Sequence, residues 1–253
     1  MSATVVRLAD ARARSSAVPP IKLFAFHHAG GSTASFAGWQ RRLGPKAEVV
    51  PVRLPDRDGL GAGRRDLASL ASALQEQLGP RLDDPYMCYG HSMGAVVAYH
   101  LVRFLAATGR RLPVRLLVGA HPAPHLPRPL ESARHLDDAG LARRLAEFDG
   151  LPDAVRGTPQ RLAGYLARVR GDLELCESCR HTDLSYQLPC SIDVFAGADD
   201  PLVTVEDAAA WSSHSLRGGT LQVIPGGHFF HRQSKDAFFA RLGAVINKHG
   251  GER

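Results

Sequence analysis

The tightest constraint on this chain is one pentapeptide and its setting. Pro85-Tyr86-Met87-Cys88-Tyr89 reads as a short apolar strand. It runs into Gly90-His91-Ser92-Met93-Gly94, and Ala95 to Ala107 continues as a helix. The pentapeptide is the chain's single match to G-x-S-x-G, and a strand before it with a helix after it is the context that gives the pattern meaning. A chain that reverses from strand into helix over so few residues must turn sharply. Side chains on either side of the serine would strike neighbouring backbone, and Gly90 and Gly94 remove them. Ser92 is then held at the carboxyl edge of a sheet and the amino end of a helix, where the dipole favours developing negative charge.

The rest of the chain repeats this alternation. Ile21 to Phe26 reads as a buried strand, followed by the turn Ala29-Gly30-Gly31-Ser32 and a helix over Ser35 to Leu43. Glu48 to Val52 is a second strand. Leu67 to Leu82 has helical spacing at Leu67, Leu70, Leu74 and Leu78. Val114 to Gly119 is a further strand. Later, Ser191 to Ala196 and Thr220 to Ile224 are strands, Val205 to Ser213 is helical, and Phe229 to Lys248 forms a closing helix. Strands alternating with helices predict a mostly parallel sheet with helices on both faces. The interval from about residue 122 to 188 breaks the rhythm: it opens proline-rich and carries amphipathic segments at Leu136 to Phe148 and Pro159 to Leu175. One crossover helix needs far fewer residues, so the excess reads as a helical lid inserted above the carboxyl edge of the sheet.

A serine is a poor nucleophile until a base takes its proton and a carboxylate orients that base. After a G-x-S-x-G elbow, the partners are expected in the order acid, then histidine, each following a strand. That is the arrangement of the α/β-hydrolase fold. Gly197-Ala198-Asp199-Asp200-Pro201 follows the Ser191 strand. Asp200 is the preferred acid because Pro201 stiffens the turn that presents it, with Asp199 as the alternative. Gly226-Gly227-His228 follows the Thr220 strand and supplies the base; His231 competes for the role but falls one turn late, inside the closing helix. The oxyanion needs two backbone donors. Met93 N–H, after the nucleophile, is one; Ala29 N–H, in the loop after the Ile21 strand, is the other. His27 and His28 are expected to support that loop rather than to act as bases.

Composition excludes other classes. The 253 residues carry a formal net charge of +6, with 44% hydrophobic and 22% charged residues, and fit one domain with an insertion. No apolar run is long enough to span a membrane. Residues 1–20 lack the apolar stretch of a secretory signal and read as a disordered tail before a domain at 21–253. The basic residues are scattered without an aromatic-plus-basic motif, so nucleic acid is not an expected partner. Cys176 and Cys179 form a lone C-x-x-C without the second pair that zinc requires. The four cysteines are expected as reduced thiols of a cytoplasmic protein, and no metal or bound cofactor is called for.

Five segments together resemble the type II thioesterases that accompany polyketide synthases and non-ribosomal peptide synthetases. They are His28-Ala29-Gly30-Gly31-Ser32, Arg53-Leu54-Pro55, Gly90-His91-Ser92-Met93-Gly94-Ala95, Gly197-x-x-Asp200-Pro201 and Gly227-His228-Phe229-Phe230. They span about residues 21 to 248. The resemblance implies a monomeric editing hydrolase that removes acyl groups from the phosphopantetheine arm of carrier proteins and accepts small acyl thioesters. It implies Ser92, Asp200 and His228 as nucleophile, acid and base, with Ala29 and Met93 as oxyanion donors. Asp56-Arg57-Asp58 departs from the glycine-arginine pair more usual after that proline. An oxygen-ester hydrolase or an acyltransferase would use the same residues. A non-catalytic carrier-binding scaffold is the reading from another class.

Overall fold

The computed structural model describes residues 19–55, 66–128, 130, 133–177 and 186–249. Residues 1–18 of the segment read as a tail, Asp56-Arg57-Asp58 and Cys179 lie outside them. Six strands form one fully parallel sheet: β1 (Ile21–Phe26), β2 (Ala47–Pro51), β3 (Tyr86–His91), β4 (Arg115–Gly119), β5 (Ser191–Gly197) and β6 (Leu221–Ile224), in the order β2-β1-β3-β4-β5-β6. The nine α-helices of the described residues are α1 (Trp39–Leu43), α2 (Leu67–Leu78), α3 (Met93–Ala107), α4 (Asp138–Ala146), α5 (Asp153–Arg156), α6 (Pro159–Glu177), α7 (Val205–Ala209), α8 (Phe230–Gln233) and α9 (Lys235–His249). None of these is long and apolar enough to cross a membrane.

Strand side chains alternate between two cores, as the pleat requires. Phe24, Phe26, Cys88, Leu116, Val118 and Val194 face one, which continues through α2, α3 and α6. Leu23, Met87, Tyr89, Leu117 and Phe195 face the other, closed by Trp39 of α1 and by Phe238, Leu242 and Ile246 of α9. Burial on both faces is what an all-parallel sheet demands. A buried ion pair links two of the apolar strands: the Asp193 carboxylate in β5 is 1% exposed. It binds Arg115 through Nε and Nη2 and accepts from both Thr220 N and Thr220 Oγ1. A buried charge so fully bonded avoids the penalty of an unpaired one.

The strand order reverses beside β1: the chain moves outward to β2, then returns to place β3 on the other side of β1. Ligands of such sheets bind at the carboxyl ends where the order reverses. The loops after β1 and after β3 flank that point. Between β4 and β5, the segment holding α4, α5 and α6 joins the α3-side core through Leu141, Leu145, Tyr165, Leu166 and Val169. Several expected helices are broken. Residues 33–36 form a 3-10 turn separate from α1, residues 210–214 a 3-10 turn after α7, and Ser234 divides the closing helix into α8 and α9.

Candidate active site

Ser92 sits between β3 and α3 with φ 53° and ψ −120°, a conformation that costs a non-glycine residue about 1–3 kcal/mol. The surroundings hold it there. Ser92 N–H donates to Gly119 O at 2.7 Å, and Ser92 O accepts from Ala95 N–H at 2.9 Å. The flanking glycines are a steric necessity: a Cβ on Gly90 would lie 2.1 Å from Gly94 O, and one on Gly94 would lie 2.1 Å from Phe26 O.

His228, 3% exposed, follows β6. Its Nε2 lies 3.0 Å from Ser92 Oγ, and its Nδ1 lies 2.9 Å from Asp200 Oδ2 and 3.2 Å from Asp200 Oδ1. With Nδ1–H donating to the carboxylate, Nε2 keeps a lone pair for the serine hydroxyl. Asp200 Oδ1 also accepts from Leu202 N–H at 2.9 Å, inside the turn stiffened by Pro201. Of the two adjacent acids, Asp200 meets the histidine; Asp199 is exposed and engages Gly226 O through its backbone N–H. His231 does not reach the serine bonds. It packs against the His91 ring at 4.2 Å between centroids, and burial followed by the Arg232 charge pushes its imidazole well below its usual pKa.

Ala29 and Met93 both border the cleft beside Ser92. Neither backbone N–H is taken by another group among the described residues. His27 and His28 brace the first of these loops, as their positions suggest. His27 Nδ1–H donates to His28 O, and His28 Nδ1–H donates to Ala29 O, both at 2.9 Å. Burial, reinforced by Arg232, depresses His28 to about 3, so it stays neutral and its Nε2 accepts from Arg232 Nη2.

Sequence patterns did not single out His91. Its Nε2–H donates to His228 O at 2.9 Å, while Tyr89 Oη–H donates to its Nδ1 at 3.1 Å. The variable position of G-x-S-x-G thus pins the backbone of His228. Its place one residue before Ser92 was the available signal. The strand–helix connection between β4 and β5 also contributes: Phe148 packs edge-on against His228 at 5.4 Å.

The cleft opens directly beside Ser92 and His228. Leu130, Leu173, Cys176 and Leu202 give it apolar walls, and Arg128 and Glu177 also border it. Cys176 is no competing nucleophile, because burial pushes its thiol up to about 12. Such an arrangement can attack a carbonyl carbon, stabilise the tetrahedral oxyanion and hold a short apolar chain.

Known proteins share both sequence and architecture. LgrE of Brevibacillus parabrevis, which bears the name linear gramicidin dehydrogenase, is 30% identical over 234 residues, covering 90% of this chain and 89% of that protein. RedJ, a thioesterase from the prodiginine pathway of Streptomyces coelicolor, superposes with a TM-score of 0.80 at 34% identity, covering 90% of this chain and 91% of RedJ. The type II thioesterase BorB, from the borrelidin biosynthetic cluster, superposes with a TM-score of 0.76 at 33% identity, covering 90% and 93%. A model of the thioesterase domain matches residues 21–246, from the first residue of β1 into α9. With its six-stranded parallel sheet and its glycine-flanked serine turn on the α/β-hydrolase fold, the chain belongs to the thioesterase family.

Proposed function

We propose that this thioesterase clears acyl groups from the phosphopantetheine arm of carrier proteins, editing misprimed or stalled polyketide or non-ribosomal peptide synthases. Ser92 is the nucleophile, His228 the base and Asp200 its orienting acid. Ser92 Oγ bonds to the thioester carbonyl carbon as its proton passes to His228 Nε2. The oxyanion lies between the N–H groups of Ala29 and Met93, a contribution worth about 10²–10³ in rate per donor. The tetrahedral intermediate collapses, the C–S bond breaks, and the departing thiolate takes the proton held on His228 Nε2, which returns the imidazole to its neutral form. Water then gives a proton to the neutral His228 as it attacks the acyl-Ser92 carbonyl; the acyl–Oγ bond breaks, His228 returns the proton to Ser92 Oγ, and the free acid leaves.

One observation carries this reading: the bonded series Asp200–His228–Ser92 at the mouth of an apolar cleft. The segment at 122–188 serves as a lid in this reading, since Leu173, Cys176 and Glu177 of α6 border the same cleft as the nucleophile. One chain supplies nucleophile, base, acid and both donors, which suits a monomer. The proposed setting is the cytoplasm, where carrier-bound synthesis takes place.

The test is a panel of acyl-loaded carrier proteins followed by mass spectrometry. Loss of the acyl mass, with the arm kept on the carrier, is the expected result. Matched oxygen esters hydrolysed faster, or acyl transfer to an added amine or alcohol in place of water, would displace the editing reading.

Charge supports a carrier as partner, such proteins being generally acidic. A second cleft is bordered by Arg41, Arg42, Arg232 and Lys235. Arg42 pairs with Asp236, whereas Arg41 and Lys235 form no ion pair among the described residues. Charge reversal of both (Arg41→Glu with Lys235→Glu) should raise KM for carrier-borne substrate about tenfold at low salt, the usual action of rim charges on encounter. KM for a small acyl thioester should not change. Steady-state kinetics on the two substrates over a salt series checks both statements.

A further inference from the structure

We infer that Asp172, on α6 of the lid segment, is a positioning residue that holds the oxyanion loop, so that one donor is set only while α6 lies against that loop. The inference rests on the assignment of Ala29 N–H as an oxyanion donor. Two successive peptide units form the loop after β1. In the first, His28 O accepts from Gly31 N–H at 3.0 Å and from His27 Nδ1–H, leaving Ala29 N–H on the other side of the same plane. In the second, Ala29 O accepts from His28 Nδ1–H, and Gly30 N–H donates to Asp172 Oδ2 at 2.8 Å. Three of the four polar groups of these units are therefore engaged. The fourth, Ala29 N–H, is left for the reacting oxygen.

Every other brace on these units comes from the loop's own residues; Asp172 arrives from a helix 142 positions along the chain. It is 4% exposed. Residues 165, 169 and 172 recur at helical spacing and share one face of α6. That face meshes with the loop: a Cβ on Gly30, whose φ is +76°, would lie 2.7 Å from both Tyr165 Cε2 and Val169 Cγ2. An apolar residue at 172 would complete this packing without burying a charge, and burying a carboxylate is costly unless it is bonded. What an apolar residue cannot do is accept the Gly30 N–H. A charge-assisted acceptor fixes that N–H more firmly than a neutral one, and through the peptide plane it fixes the tilt of the neighbouring unit. Lid and oxyanion pocket are in this way one mechanical piece. A lid displaced on carrier docking gives up the Gly30 bond and loosens the donor, so attack proceeds only after the lid has settled back.

The test uses the full chain with a small acyl thioester, which removes carrier docking from the measurement. Asp172→Leu keeps the branched shape and removes the acceptor. It should lower kcat about 10- to 100-fold, less than deletion of a donor would, with KM within about twofold. Asp172→Asn keeps an acceptor oxygen and should recover kcat to within about threefold of wild type. A trifluoromethyl ketone, which forms an oxyanion on addition of Ser92, should bind Asp172→Leu more weakly by the same factor as the fall in kcat/KM. A ground-state thioether analogue should bind both proteins equally. Wild-type kcat and ketone affinity in Asp172→Leu would overturn the inference, as would equal weakening of both analogues or failure of Asp172→Asn to rescue. Should Asp172→Leu not fold, Asp172→Val and the Asp172→Asn ketone affinity are read in its place. Absence of thioester hydrolysis in the wild-type protein would instead strike the proposed function.

Discussion

Ser92→Ala is expected to lower turnover of acyl thioesters by roughly 10⁴-fold or more, with KM little changed. The hydroxyl is the only atom group removed, and Cβ remains to satisfy the strained turn. The two backbone donors and the apolar cleft are untouched, so the residual rate measures what those features give without a nucleophile. His228→Ala should fall to a similar floor. The two act as one device, because the 3.0 Å contact between Nε2 and Oγ is useful only when both are present. The double variant should therefore be no slower than either single one, a gross departure from additivity. Thiol release in a steady-state assay measures all three. A fluorophosphonate probe supplies an independent readout: it should label the wild-type serine, label His228→Ala far more slowly, and leave Ser92→Ala unlabelled at that position. Thioester hydrolysis near the wild-type rate by Ser92→Ala would remove the mechanism.

The residues that the structure brings together were legible where local backbone demands are severe. Gly90 and Gly94 flank Ser92 because backbone passes 2.1 Å from where their Cβ atoms would sit. Asp200 precedes a proline, and His228 follows two glycines at a strand end. Each of these leaves a mark within five residues. The parallel sheet was legible for a similar reason, since strands buried on both faces read as short apolar runs. Strand order was not, because nothing local records that the chain passes β1 to form β2 before returning to β3.

Relations between distant segments were hidden. Asp172 looks like a polar residue in an amphipathic helix, and its partner is a backbone N–H with no side-chain signature. Asp193 sits inside an apolar run; its role emerges only once Arg115 and Thr220 are beside it. Helix breaks were partly hidden too. Gly38, at φ 80°, separates the turn at residues 33–36 from α1, while Ser234 leaves helical geometry with an unremarkable side chain. These features are set by tertiary contacts that override local propensity.

Asp200→Asn is expected to cost about 10⁴-fold in kcat, although the replacement is almost isosteric. The reason lies in the second bond of the carboxylate. Asp200 Oδ1 accepts from Leu202 N–H at 2.9 Å, and Oδ2 accepts from His228 Nδ1–H at 2.9 Å. An asparagine has one acceptor for two donors. The backbone N–H of Leu202 cannot change its character, so the amide oxygen is drawn to the Oδ1 position and the NH₂ group faces His228. The ring can then adapt by moving its proton: Nδ1 becomes the acceptor and Nε2 carries the hydrogen. In that tautomer Nε2 has no lone pair for the Ser92 proton, and the base is disabled with every heavy atom in place. Asp199→Asn should leave kcat within about twofold, because that carboxylate is exposed and does not bond the ring. Nitrogen-15 shifts of the His228 imidazole would report the tautomer directly, beside kcat for both variants. A tautomer unchanged in Asp200→Asn, together with a rate loss under tenfold, would show that the orienting carboxylate has been misplaced.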